Sequence, residues 1–310
     1  MGETNQHCGS PLVSIVIPTY NRAPLLPQAV AACLGQTYPL LEVVIVDDGS
    51  RDDTPAVCRA LSESDPRVRV FRKENSGIAD TLNYGFAHTR GEYLTWTSDD
   101  NAYRPQAIEK MAAYLAAHPD VGFVYADTQD VDDDGRILRV YAAAGPEALP
   151  LDCVVRGCFL YKRAVMRAVG GYDKAWRRCQ DYDFYLRVHK RFAMAHFPEV
   201  LYVYRVHEAS MSGDHVALVM EGGQVQAAHA GSRAQVRAIW ARIFHHLARW
   251  EMTQGRGLRA VGYHLRATLQ QPRHFPTFWD ALWRTGYGSL PGSVKSLWRR
   301  LKRRLARLPG

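Results

Sequence analysis

No GxGxxG follows the first β-rich run of this 310-residue sequence, and no GxxxxGK[ST] occurs anywhere in it. The first absence argues against a dinucleotide oxidoreductase, the second against a P-loop phosphotransferase. Cysteine is sparse. There are six, at 8, 33, 58, 153, 158 and 179, with no CxxC pair and no regular spacing. Free thiols in a reducing compartment account for them more simply than a disulfide framework. The amino terminus has neither the basic region nor the apolar core of a signal peptide. No apolar run approaches membrane-spanning length. A cytoplasmic protein is expected. Internal repeats and low-complexity tracts are also missing.

Acid is missing from one stretch in particular. Between Lys295 and Arg307 stand seven Lys or Arg residues and no Asp or Glu. The net charge is +8, so the rest of the chain carries about +1. The basic balance therefore describes a tail and not the body. A nucleic-acid partner, which calls for a basic face on the folded domain, is not expected. In the tail, Val294, Leu297, Trp298, Leu301, Leu305 and Leu308 recur at helical spacing. That pattern fits an interfacial helix on an anionic membrane, with Trp298 at the headgroup level. The plainer alternative is a basic helix docked on the body or on another subunit.

What is present is β/α alternation. Residues 12–18, 40–46, 68–71, 93–97 and 121–126 read as strands, and 25–34, 57–61, 78–89 and 105–117 as helices. Short connections between them argue for a largely parallel sheet covered on both faces. After residue 126 the pattern changes. Residues 131–138 read as a hairpin turn, 154–161 and 200–206 as extended, 163–169 and 181–189 as helical. From 216 the reading is helical, over 216–250 with a break near Gly231, then 257–270.

Carboxylates stand at three strand ends or turns: Asp47/Asp48, Asp99/Asp100 and Asp181/Asp183; a histidine follows at 207. In an open α/β sheet, ligands bind beyond the carboxyl ends of the strands. An acid pair there could hold a hard divalent cation and, through it, a diphosphate. Mg²⁺ takes one or two carboxylates plus the substrate's phosphates, and Mn²⁺ tolerates imidazole better. Asp48 could accept a hydrogen bond from a base N–H. Asp181, at a helix start, would stay ionised beside the backbone N–H groups and could act as a general base. Each has a plainer reading: a solvated loop for Asp99 and Asp100, a turn cap for Asp47, an N-cap for Asp181, a surface histidine for His207. Asp183 fits an i,i+4 pair with Arg187.

Seven pieces stand in a telling order: Val13-Ser-Ile-Val-Ile-Pro-Thr-Tyr-Asn-Arg22, Val46-Asp-Asp-Gly-Ser50, Asn75-Ser-Gly77, Ser98-Asp-Asp-Asn101, Gly170-Gly-Tyr-Asp173, Gln180-Asp-Tyr-Asp-Phe-Tyr-Leu-Arg187 and Tyr204-Arg-Val-His-Glu-Ala-Ser210. Together they closely resemble the inverting family-2 glycosyltransferases of GT-A fold, over residues 10–215. The resemblance implies an α/β GT-A sheet of mainly parallel strands, an acceptor-side region and a helical carboxyl-terminal extension. Residues 10–125 would form the nucleotide-sugar-binding half, 126–215 the acceptor and catalytic half of the same domain, and 216–310 the extension with its basic tail.

The resemblance also implies roles. Pro18, Tyr20 and Asp48 would wall and contact the nucleoside. Asp99 would serve the diphosphate, with Asp100 as direct ligand of Mn²⁺ or Mg²⁺ and His207 as a second contact to metal or diphosphate. Arg156 and Gly157 would face sugar or acceptor, and Asp181 would be the base. The donor would be a nucleotide sugar, UDP- or dTDP-linked, and the acceptor a hydroxyl of a glycan or lipid-linked molecule, with the protein peripheral on the inner face of the membrane. Two departures stand out. Gln180 replaces the Glu that often precedes the base, and Asp80-Thr-Leu-Asn83 replaces an Ala-Arg-Asn stretch, so Leu82 offers donor phosphate no charge. The other readings are a catalytically silent sugar-nucleotide scaffold and a nucleotidyltransferase, whose basic phosphate loop Thr19-Tyr-Asn-Arg22 supplies poorly.

Overall fold

A computed structural model describes residues 10–206 and 214–271. The chain divides into two compact units, residues 1–213 and 214–310. All the described strands lie in the first.

The amino-terminal alternation gives β1 (Val13–Thr19), α1 (Leu26–Leu34), β2 (Leu41–Asp47), α2 (Thr54–Ser64), β3 (Val68–Arg72), α3 (Ile78–Ala87), β4 (Tyr93–Trp96), β5 (Ala102–Tyr103) and α4 (Ala107–Ala117). There follow β6 (Val121–Val131), β7 (Ile137–Tyr141), β8 (Phe159–Lys162), α5 (Arg163–Val169), α6 (Gln180–His189) and β9 (Ala193–Arg205). The sheet runs β3-β2-β1-β4-β8-β6-β9-β5, with β7 paired to β6. β1 to β4 pair in parallel, as do β6 and β9. β8 is inserted antiparallel between β4 and β6, and β5 and β7 are antiparallel additions at β9 and β6. The mainly parallel α/β sheet is thus present, with three reversed strands concentrated in its second half.

Strands covered on both faces read as continuous apolar runs. β2 is buried along its whole length, and Glu42 is its one charge before the carboxyl end. That carboxylate is tolerated because it accepts from Ser14 Oγ (2.7 Å), the Arg90 N–H (2.6 Å) and Arg69 Nη1 (3.0 Å). Burial alone would raise its pKa, but these donors hold it below the ordinary range. On one face, Val13, Ile15, Val43 and Ile45 pack with Leu26 and Val30 of α1, Cys58 of α2 and Met111 of α4. On the other, α3 lies so close that a Cβ at Gly85 would sit 2.6 Å from Val16. Phe184 and Tyr185 of α6 pack on Tyr161, Phe123 and Phe159 there.

Two extended stretches differ from the sequence reading. Residues 154–158 precede β8 without joining it, and β9 begins at Ala193, before the expected 200. The early part of β9 carries Glu199 and Pro198 and alternates poorly, but β6 gives it a ready-made edge.

The second unit holds α7 (His215–Ala228), α8 (Arg233–Thr253) and α9 (Gly257–Gln270). The break expected near Gly231 falls between α7 and α8. Asp214 caps α7 by accepting from Ala217 N–H at 3.1 Å, and Ser232 caps α8 through Gln235 N–H at 3.2 Å. Gly255, at φ +70°, makes the left-handed turn after α8. No described helix is long and apolar enough to cross a membrane. The basic tail at 294–310 lies outside the described residues.

Candidate active site

β2, β1 and β4 are neighbours and parallel, so their carboxyl ends share one edge of the sheet. Thr19 pairs with Asp47 in register, and Thr97 donates its N–H to Val16 O at 3.0 Å. Thr19 Oγ1 donates to Asp99 Oδ2 at 2.7 Å, seating the acid pair against the end of β1. Asp99 is buried, and that burial raises its carboxyl to a pKa of about 6. The Thr19 bond opposes the shift and the charge of Asp100 adds to it. A buried carboxylate beside a second acid is costly to ionise.

The loops after β1 and β2 clasp one another. Asn21, at φ +53°, donates its N–H to Ser50 Oγ (2.9 Å) and accepts from Arg51 N–H (2.8 Å). Arg22 N–H reaches Thr54 Oγ1 at 3.0 Å. Tyr20 is 44% exposed on this rim, while Pro18 lies within β1 opposite Val46. Asp48 is buried and faces the turn before α3. It accepts from Lys73 Nζ (2.8 Å), Ser76 N–H (3.1 Å) and Gly77 N–H (3.0 Å).

Lys73 is a neighbour that sequence reasoning missed. It pairs with both Asp48 and Asp80, at 2.8 and 3.1 Å, and Lys174 also pairs with Asp80. The Lys174 bond, then that from Ser76, holds the Asp80 carboxyl far below the usual range. Leu82 is fully buried in α3, so positive charge at this rim comes from Lys73 and Lys174 instead. Only Asp80, two positions from Leu82, hinted in sequence that the charge had moved.

β9 returns to the acid pair. Asn101 Oδ1 accepts from Arg205 N–H at 2.8 Å, and Asp100, Gln28 and Arg205 line one crevice. Nothing in the local pattern around Arg205 singles it out. His207 lies outside the described residues.

On the acceptor side, Arg156 Nη1 donates to buried Asp130 Oδ1 at 2.6 Å, and the guanidinium lies over Tyr204 (4.6 Å) and Tyr141 (4.9 Å). A Cβ at Gly157 would come within 2.5 Å of the Tyr202 ring. Tyr202 in turn shares a hydrogen bond with Thr97 at 2.7 Å. Gly157 is therefore required for close approach, quite apart from any ligand. Asp181 lies in the first turn of α6, beyond its N-cap residue Cys179, and its Oδ1 accepts from Tyr182 N–H at 2.7 Å. Asp183 pairs with Arg187 at 2.8 Å. Gln180 is buried with its Oε1 lacking a hydrogen-bond partner.

Asp100 and Asp181 each act by charge on a buried side chain of the acceptor side. Burial raises the Tyr202 hydroxyl, and the charge of Asp100 raises it further. Tyr202 packs on Gly157, beside Arg156. Burial likewise raises the Cys153 thiol, which feels the charges of both Asp181 and Arg156. The described cysteines are all free thiols. Among the described residues no three His, Cys, Asp or Glu side chains cluster as a metal site.

The family model described as Glycosyl transferase family 2 matches residues 14–170. The chain belongs to glycosyl transferase family 2. An uncharacterised glycosyltransferase of Rickettsia felis is 31% identical over 262 residues, which span 80% of this family-2 chain and 40% of that relative. The chain thus corresponds to well under half the length of that protein. A chondroitin synthase of Pasteurella multocida is 28% identical over 195 residues, 62% of this chain and 20% of the synthase. Two solved structures share the GT-A fold. TarS residues 1–349 of S. aureus, in complex with UDP, superposes with TM-score 0.62 at 15% identity, covering 89% of this chain and 92% of that one. The mannosyltransferase PcManGT of Pyrobaculum calidifontis, with GDP-Man and Mn²⁺, gives 0.60 at 22%, covering 96% and 81%.

Proposed function

We propose that this family-2 chain transfers a sugar from a nucleoside diphosphate sugar, UDP- or dTDP-linked, to a hydroxyl of a glycan or lipid-linked acceptor, inverting the anomeric centre, in polysaccharide or glycoconjugate synthesis. The observation that carries this reading is the Thr19–Asp99 bond, which seats the acid pair at the joined carboxyl ends of β1, β2 and β4. The chondroitin synthase relative supports a polysaccharide context, and the UDP bound in one structural neighbour supports a uridine donor.

The donor set fits Mn²⁺ or Mg²⁺. Among the described residues it is small and all oxygen, as a site completed by substrate phosphates would be, and burial raises the Asp99 carboxyl within it. Asp100, with Asp99 behind it, would hold the ion, which when bound neutralises charge on the departing diphosphate. The chain's own residues do the rest. Tyr20 offers its ring to the base, and Asp48, with Lys73, borders the nucleoside. The first turn of α6 favours the Asp181 anion. Asp181 takes the acceptor proton as that oxygen attacks the anomeric carbon and the bond to the diphosphate breaks. Arg156 and Gly157 wall the sugar and acceptor side.

Two variants test the assignment. Asp181→Asn should bind UDP with Mn²⁺ as the parent does while transfer falls by about 10²–10⁴-fold. Asp100→Ala should lose the metal-dependent part of UDP binding. Transfer at the parental rate by Asp181→Asn refutes the base.

A further inference from the structure

The helical unit carries a cavity of about 580 Å³ that the reaction above does not use. That volume suits a ligand of one or a few sugar rings and far exceeds a lone anion. Its walls come from the end of α8 and one face of α9. Arg259, Tyr263 and Arg266 stand at i, i+4 and i+7 on α9, which brings them to the same side of the helix. From α8 come Trp250 and Glu251, followed by Arg256.

These groups differ in how far they are committed. Glu251 is 2% exposed and pairs with Arg256, whose guanidinium lies 4.7 Å above Trp250. That trio is a fixed wall with its charge balanced. Arg266 lies over Tyr263 at 5.6 Å, a contact that uses the π face and leaves hydrogen-bonding capacity unspent. Arg259 and Arg266 are exposed, and neither has an ion-pair or hydrogen-bond partner among the described residues. The other acid at the cavity, Asp214, caps α7. Two uncommitted guanidiniums over an aromatic wall offer forked N–H donors to an anion and apolar surface to the ring that bears it.

We propose that this cavity binds an anionic glycan, a pyranose bearing carboxylate, sulfate or phosphate, with Arg259 and Arg266 on the charged group. A pyranose is apolar on its C–H face and rimmed by hydroxyls, which matches ring surface edged by donors. Binding itself does not depend on the glycosyltransferase reading. The site's use, to retain an acceptor chain, rests on it.

Calorimetric titration of the full chain, without UDP, tests this. The probes are a hexasaccharide of alternating glucuronate and N-acetylglucosamine and its carboxyl-reduced, neutral counterpart. The acidic sugar should bind at least about tenfold more tightly than the neutral one. Arg259→Ala/Arg266→Ala should remove that preference with an unchanged melting temperature. Equal affinity for the two sugars, or an unaffected double variant, overturns the proposal. So does loss by the variant of phosphatidylserine-vesicle binding with no sugar bound by the parent. That outcome would turn the face, with Leu258 and Leu269 exposed beside it, toward lipid. Sugar binding without UDP binding would instead sink the enzymatic reading and leave this site standing.

Discussion

Asp99 is a carboxyl group placed where its own charge is costly. Burial, then the charge of Asp100, lifts its pKa from 3.8 to about 6. The folded chain therefore holds this proton more tightly than the unfolded one. The associated stability is full below about pH 4 and is lost as pH rises through about 6. A shift near two units corresponds to about 3 kcal/mol. In EDTA, Asp99→Asn should melt above the parent at pH 8, and the gap should close by pH 4 as the parent becomes protonated. Thermal melts across that range check it, and parallel curves for the two proteins would show that Asp99 ionises without penalty. The same residue shows what a sequence can and cannot reveal. Two acids at the end of an apolar run are visible as a pair. That Thr19, eighty positions earlier, holds one of them is not, because only the parallel pairing of β1 with β4 brings them together.

At the scale of elements, one pair of hydrogen bonds ties α3 to the turn ahead of α6. Asn83 of α3 donates Nδ2–H to Tyr172 O and accepts from Tyr172 N–H, both at 2.8 Å. Gly171 is tight against it, since a Cβ there would sit 2.2 Å from Asn83 Oδ1. The Gly170–Asp173 turn leads directly to α6 and Asp181, so Asn83 fixes the approach of the proposed base to the donor side. Removing both bonds in Asn83→Ala should cost about 2–3 kcal/mol, because each lost partner leaves a backbone group unsatisfied. The melting temperature should fall by several degrees. Transfer should drop more than UDP binding does; equal losses in both would make Asn83 a purely structural staple. The helices at 163–169 and 257–270 were legible to the residue, since amphipathic spacing and a following glycine or proline are local signals. The reversal of β8, the two-residue β5 and the early part of β9 were not. Those strands exist because a partner edge is present, and their own sequences alternate weakly. The site divides the same way. Asp99, Asp100 and Asp181 stand at element ends that local pattern exposes. Lys73, Lys174 and Arg205 enter through pairings 25 or more residues apart, as Lys73 does with Asp48.

Across the whole molecule, charge is segregated in a way the fold does not require. The chain apart from residues 295–307 is close to neutral, with about +1 of the total +8. The sheet domain satisfies its cations locally: Arg156 and Arg139 on Asp130, Lys73 and Lys174 on Asp80, Arg187 on Asp183. Seven basic residues in the tail meet no acid in sequence, and apolar residues recur between them at helical spacing. Each Lys or Arg near an anionic bilayer contributes about 1 kcal/mol, and salt screens that attraction within a Debye length of about 8 Å. The full chain should therefore sediment with vesicles containing phosphatidylserine, much less with phosphatidylcholine alone, and less again as salt is raised. A chain ending at residue 293 should lose at least about tenfold in that binding while keeping its melting temperature and its affinity for UDP. Such an outcome would place the acceptor chemistry at a membrane surface, where a lipid-linked hydroxyl can be met. Equal vesicle binding by the two chains would leave the tail's charges to another partner and the reaction to a soluble acceptor.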